Sequence, residues 1–233
     1  LQPETATTYT LGAVIRPTNN IVVRVDLWDI KIEDVIGVVS PQLALDQCGQ
    51  TGGALFCNLV NRAPNGSLWL GTQGNIVGTN INLANRHWQG VDVIADGSWD
   101  VGSGTLTAHF TGTYTSKKEY DPLPGNDTAK YDCAGIVSAL CVEPTTGLTA
   151  AHPKWRHTMR VAYSPDSFWS VSANWRFTGG TTYNETVDTL VGDGLGAESY
   201  FDLTAAFEVT ESTALLVGMN NVLDSEPPLV GGT

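Results

Sequence analysis

The residues best placed to do chemistry in this sequence are its four cysteines. They fall as two close pairs, Cys48 with Cys57 and Cys133 with Cys141, each in a stretch rich in Gly, Asp, Asn and Pro. Four cysteines allow three connectivities. Metal sites usually want CxxC-like spacing with histidine nearby, so the local pairing is the expected one: two loop-closing disulfides formed in an oxidising compartment. The segment His152-Pro153-Lys154-Trp155-Arg156-His157 gathers two histidines and two cations. It lacks HExxH spacing and reads as a loop end running into a strand start. Asp121, Asp127, Asp188 and Asp193 form no D-x-D-x-D-G loop and read as solvated surface. Asn65-Gly66-Ser67, Asn126-Asp127-Thr128 and Asn184-Glu185-Thr186 fit the weak glycosylation pattern, which matters only in a eukaryotic secreted protein. Nothing resembles a nucleophile elbow, a Gly-rich phosphate loop or an organised Ser/His/Asp set. The expectation is a protein that is not an enzyme and needs no metal or cofactor.

Charge and composition narrow the class. Twelve Lys and Arg stand against 24 Asp and Glu, a net charge of −12, which argues against a nucleic-acid partner because phosphate binding needs clustered cations. No stretch approaches the roughly 18 apolar residues of a spanning helix; the run from Ala214, ALLVGM, is far too short. Charged residues make up only 15% of the chain, and Gly, Thr, Val and Trp abound, which favours strands and turns. A chain of this length is compatible with one all-β unit. The start at Leu1, without initiator Met or an apolar leader, reads as a fragment.

The elements that position these residues are eight strand-like runs joined alternately by short turns and long loops. Tyr9 to Arg16 turns at Pro17-Thr18-Asn19-Asn20 into Ile21 to Val39, and a long polar segment follows to about residue 78. Ile81 to Trp99 turns through residues 100–104 into Thr105 to Thr115, and a second long loop runs to Pro153. Trp155 to Tyr163 turns at residues 164–167 into Phe168 to Phe177; after a third long loop, Ser199 to Val209 turns at Glu211-Ser212 into Thr213 to Asn220. Such alternation is the pattern of an antiparallel up-and-down barrel in an outer membrane, with short periplasmic turns and long extracellular loops. Both cysteine pairs fall in the long set.

Within the runs the period is two. Trp155, His157, Met159, Val161 and Tyr163 oppose Arg156, Thr158, Arg160 and Ala162; Trp169, Val171, Ala173, Trp175 and Phe177 oppose Ser170, Ser172, Asn174 and Arg176. A soluble sandwich also alternates, so the aromatics must decide. They bracket each stripe eight residues apart, roughly 26 Å along a strand and, at a tilt of roughly 40°, about 20 Å along the membrane normal, near the apolar band of an outer-membrane barrel. Ile21 to Val39 is less tidy, since Trp28, Ile30 and Ile32 lie opposite Val23, Val25 and Leu27. A bulge there is expected to restore the register, with the far half projecting beyond the membrane.

Two segments resemble signatures of the TonB-dependent receptor family. Leu1-Gln2-Pro3-Glu4-Thr5, leading into YTLGAVIRPTNNIVVRVDLWDIKIEDVI, resembles the family's "LkPE" strand and the long strand after it; VGMNNVLDSEPP, from Val217 to Pro228, resembles its "gv.NlfD..PP" segment. QLALDQC followed by CNLVNR is similar to a cysteine-bearing extracellular loop of one branch. The resemblance implies that residues 1–233 are the C-terminal portion of a 22-stranded barrel, without the plug domain, the TonB box or the last strand. It further implies active uptake of a scarce nutrient (a siderophore, vitamin or glycan) across the Gram-negative outer membrane, driven by the TonB complex, with membrane lipid around the wall. On this reading Arg156, Arg160 and Arg176 face the lumen, against solvent or plug, and Trp69, Trp88 and Tyr183 are candidate extracellular ligand contacts. The alternative from another class is a soluble secreted β-sandwich for binding or adhesion.

Overall fold

Two residues are all that separate the first two strands: β1, Thr5–Thr18, and β2, Ile21–Val38, flank Asn19-Asn20. Asn20 then ties this turn onward, its carbonyl accepting from the Ser98 amide and its Nδ2 donating to the Ser98 carbonyl (3.0 and 2.7 Å). In the computed structural model, which describes residues 1–69, 73–125, 130–142, 149–183 and 194–228, six more long strands follow. They are β3 (Asn80–Val101), β4 (Gly104–Asp121), β5 (Trp155–Pro165), β6 (Trp169–Thr178), β7 (Glu198–Thr210) and β8 (Thr213–Met219). They hydrogen-bond in sequence order, β1 to β8, as one uninterrupted meander. The eight expected strands and the alternation of short and long joins are therefore both present. Short joins give this order because two-residue connections permit only antiparallel neighbours.

Register explains why the sheet has one apolar and one polar face. Met159 lies opposite Phe110 on one side and Trp175 on the other; Val161 lies between Ala108 and Ala173, and Tyr163 between Leu106 and Val171. The match continues through Ala173 opposite Leu203, Ala205 opposite Val217 and Phe207 opposite Leu215. A slip of one residue anywhere would turn a whole strand inside out. The apolar face is open rather than packed on a second layer: Val171, Leu203, Val217 and Met219 are 43–63% exposed. That is unlike a sandwich, whose apolar faces meet in a core.

The aromatics bracket this face. At the long-loop end Phe110, Trp155, Trp175, Phe177 and Phe201 adjoin one another around His157. His157 breaks the apolar pattern of β5 by residue type, yet it is absorbed here as an aromatic. Its Nδ1 accepts the Trp155 indole N–H at 2.9 Å, its ring stacks on Phe177 at 5.0 Å, and it stands edge-on to Trp175 at 4.3 Å. At the turn end Tyr163 meets Trp169 at 6.0 Å and its hydroxyl donates to the Val101 carbonyl. Amphipathic rings settle at such boundaries because one end prefers hydrocarbon and the other water.

Near Trp28, where a bulge is expected from sequence, Asp26, Trp28 and Ile30 lie around one hollow, as alternate residues of one face do. The apolar stripe of Val23, Val25 and Leu27 ends at Asp29. That carboxylate accepts from Gln89 Nε2 and faces His87 Nε2 at 3.1 Å, so the strand has already become polar there. The irregular position is Asp34, at φ 56°; its carbonyl accepts from Asn82 Nδ2 and the Ile36 amide donates to Glu4 Oε1, each at 2.7 Å.

The chain divides into two compact units, one of Leu1–Thr7, Lys31–Arg86 and Tyr120–Lys130, the other of Thr8–Ile30, His87–Glu119 and Tyr131–Thr233. In the first, the expected long polar segment is a folded cap. Helix α1, Pro41–Thr51, begins with the Ser40 hydroxyl accepting from the Leu43 amide and Pro41 in its first turn, and ends at left-handed Gly52; these are standard start and stop signals. A one-turn helix α2, Ala54–Cys57, follows. Val39, Ala44 and Phe56 form its buried centre, ringed by Leu43, Leu59, Ile76, Ile81 and Leu83. The segment looks polar in sequence because the apolar residues of this small core are spread over more than 80 positions.

An arginine in the middle of the apolar face should be far costlier than one on the polar face. In the full-length protein Ala173→Arg is expected to lose about 2–4 kcal/mol, and Ser170→Arg about 0.5 kcal/mol or less. Urea titration of folding into lipid vesicles, read by heat-modifiable gel mobility, measures both; equal losses would show that the face does not meet lipid.

Candidate functional site

The polar face is built from alternate residues of the same strands, and its charges are arranged in small networks. Arg24 Nη2 donates to Asp96 Oδ2 (3.4 Å), while Asp96 Oδ1 faces His109 Nδ1 at 2.7 Å and His109 Nε2 faces the Thr111 hydroxyl at 3.1 Å. On β4 the Thr113 hydroxyl donates to Asp92 at 2.7 Å. Arg176 grips Asp202 with both Nε and Nη2 at 3.0 Å and lies 5.4 Å over the Tyr200 ring. The same carboxylate accepts from Asn174 Nδ2 and the Asn221 amide. Asn221, at φ 51°, in turn exchanges two bonds with Ser225. The segment NNVLDS is thus a turn clamped to the sheet through Asp202.

The three arginines singled out from sequence share this face. Arg176 lies opposite Thr158; Arg160 lies between His109 and Asn174 and donates to Ser172 Oγ at 3.3 Å. Arg156 lies between Thr113 and Thr178 and pairs with no carboxylate among the described residues.

Two of the three long loops are stapled. Cys48–Cys57 joins the last turn of α1 to α2 across a Cα separation of 4.7 Å, and Cys133–Cys141 closes the second loop across 5.7 Å. The local pairing is the one formed. Cys133 and Cys141 are buried, and around them a small sheet assembles from residues Ile136–Val142, Thr149–Ala151, Thr181–Tyr183 and Gly194–Leu195. His152 lies beneath this sheet, its Nδ1 accepting from the Lys118 ammonium at 2.9 Å and its Nε2 facing the Cys141 carbonyl at 3.3 Å. An ammonium can only donate, so the imidazole proton belongs on Nε2. His152 and His157 therefore belong to different environments, a loop base and an aromatic belt, and not to one site.

Of the aromatic candidates, Trp69 stands 76% exposed in the first unit. Trp88 lies in the second with the Lys118 ammonium 5.3 Å over its ring, and Tyr183 pairs beside Val137 in the small loop sheet. Asp127, Asp188, Asp193 and the sequons at Asn126 and Asn184 lie outside the described residues. Asp121 is nearly buried and faces Lys130 at 3.8 Å, so it is not the solvated carboxylate expected. Asn65-Gly66-Ser67 is a tight turn in which the Ser67 amide donates to Asn65 Oδ1. Asp26, Trp28 and Asp92, which line one hollow, carry no site motif in the sequence. The available signal was Gly12 and Gly90, glycines inside strands, which mark places where another group comes close.

A family model described as TonB dependent receptor-like, beta-barrel matches residues 1–222. The chain belongs to the TonB-dependent receptor family. Its fold is similar to three solved receptors and transporters, each matched over 97% of this chain. They are the ferric-catecholate import receptor Fiu from Escherichia coli K12 (13% identity, TM-score 0.51), the outer membrane transporter YddB from Escherichia coli (8%, 0.60) and the FrpB iron transporter from Neisseria meningitidis (12%, 0.54). The receptor segment spans 24%, 30% and 27% of those chains, respectively. No curated protein matches. The meander is accordingly part of an outer-membrane β-barrel of a Gram-negative bacterium, from a family of transporters rather than enzymes.

Two outcomes are expected of variants of the full-length receptor. Asp202→Ala leaves Arg176 and the Asn221 amide without their acceptor, and should cost about 1 kcal/mol, Arg176 being half exposed. Arg176→Lys, which keeps the charge and loses the fork, should cost most of that. The thermal midpoint for loss of the compact gel form checks both, and wild-type midpoints would remove the clamp from the account. Replacing Cys133 and Cys141 by alanine should loosen the second loop by about 2–3 kcal/mol, seen as faster thermolysin cleavage within residues 131–151 while the strands stay resistant; an unchanged rate would mean that the loop holds without its staple.

Proposed function

We propose that this chain is one section of the wall of an energised outer-membrane importer, with residues 1–233 supplying eight consecutive strands and three of the loops above them. The observation that carries the reading is the uninterrupted, in-register apolar face on a chain matched over residues 1–222 by the receptor family. Lipid covers that face. Arg156, Arg160 and Arg176 line the lumen, where they meet solvent or a plug; the loops bearing Trp69 and Tyr183, and the stretch of β3 bearing Trp88, are where scarce nutrients are met.

Energy comes from the TonB complex of the inner membrane acting on a plug, while the wall stays rigid. The paired charges suit that role, since a lumen charge held by its own partner does not reorganise each time the channel opens. Ferric catecholate and iron are named as the cargo of two similar structures, so iron chelates belong in the first panel beside a vitamin and a glycan.

The test is uptake by whole cells carrying the full-length gene. Radiolabelled ferric siderophore, labelled vitamin B12 and fluorescent oligosaccharides are supplied to cells with and without a functional TonB protein, and before and after collapse of the proton gradient. Accumulation of one of them that vanishes in both deprived conditions is the expected result. Uptake indifferent to the gradient would make the protein a passive pore, and no uptake of any probe would remove the import role.

A further inference from the structure

On the polar face, Thr10, Asp26, Trp28, Ile30, Trp88 and Asp92 surround an open hollow of about 500 Å³, within the usual range for small-molecule sites. The hollow is made by two missing side chains. A Cβ on Gly12 would collide with the Asp26 carboxylate, and one on Gly90 with the Trp28 indole and the Tyr114 carbonyl. Asp26 and Trp28 therefore lie down into space that any other residue would fill. Because Tyr114 pairs with Trp155, the hollow sits level with the aromatic belt at the long-loop end.

Its chemistry is mixed in a way that discriminates by charge. Two indoles offer flat apolar faces, and two carboxylates offer acceptors, Asp92 being oriented by the Thr113 hydroxyl at 2.7 Å. An anionic ligand meets Asp26 and Asp92. A cation gains less than the two carboxylates alone would give it, because the Lys118 ammonium already stands 5.3 Å over the Trp88 ring. What remains is a neutral ligand that carries many hydroxyl donors and also presents C–H faces to stack on indole.

The geometry points to a saccharide-binding subsite at this hollow, with Trp28 as the stacking platform, Trp88 as an apolar wall and Asp26 and Asp92 as hydroxyl acceptors. It deepens the importer reading by naming the substrate class, and rests on it only in placing this face on the lumen.

Binding is measured on full-length receptor purified from outer membranes in a sugar-free detergent such as an amine oxide. Maltotriose, cellotriose and xylotriose are titrated by calorimetry, with choline and a ferric tris-catecholate as charged probes. At least one trisaccharide should bind, with Trp28→Ala weakening it about tenfold and Asp92→Asn weakening it measurably, while neither charged probe competes. Heat-modifiable mobility checks that each variant is folded; if Trp28→Ala is not, the isosteric Asp26→Asn carries the test. The inference is overturned if no trisaccharide binds, if the bound one is indifferent to Trp28→Ala or Asp26→Asn, or if choline or the catecholate displaces it. Binding is read without an energy source, so the two readings fail separately. A trisaccharide bound through Trp28 but never accumulated sinks the importer, whereas energised uptake of a ferric siderophore with no trisaccharide binding sinks this subsite alone.

Discussion

The strands of this protein are governed by the need to satisfy backbone hydrogen bonds where no water is available. A strand in hydrocarbon must give its amides and carbonyls to neighbouring strands. Side chains are then forced to alternate between lipid and the polar side with a period of two. Register becomes rigid under that constraint, because a slip of one residue exchanges the faces completely. The rows from Leu106 through Tyr163 and Val171, and from Phe110 through Met159, Trp175 and Phe201, keep apolar residue beside apolar residue across three and four strands respectively. His157 shows how strict the requirement is. A polar ring is kept on that face only with one nitrogen given to Trp155 and its surfaces covered by Phe177 and Trp175.

The opposite face obeys a different rule. Charges there are tolerated, but each network is short and local: Arg24 with Asp96 and His109, Thr113 with Asp92, Arg176 with Asp202. Such pairs add little to stability where they are exposed. Their consequence is geometric, since they hold long side chains against the wall and set which positions remain open. Asp202 does more, joining β6, β7 and the turn at Asn221 through a single carboxylate. Where glycine replaces a side chain, as at Gly12 and Gly90, the wall thins and a hollow opens beside it.

Outside the strands, water returns and the constraint lapses, so the loops need their own means of holding shape. The first has a capped helix, a bridge from Cys48 to Cys57 and a small core about Ala44 and Phe56. The second has the Cys133–Cys141 bridge with His152 and Lys118 at its base. Both solutions suit small folded pieces whose apolar area is too limited to hold them by burial alone.

The fold was legible in the sequence wherever a local rule governs it. Eight strands, four tight turns, the two faces of β4 to β7 and the local cysteine pairing all depend on neighbours in the chain or on the period of two, and these are written residue by residue. Where distant residues must meet, the sequence was silent. Nothing near Trp28 shows that it lies over Gly90, more than 60 positions away, so an apolar ring on the polar side of β2 has no explanation from its neighbours in the chain. Val39, Phe56, Ile81 and Leu123 look like scattered apolar residues in polar loops until folding makes them one core. The alphabet of faces is set locally by the geometry of a strand; which side chains share a space is set by how strands align across the sheet, and that is decided only in three dimensions.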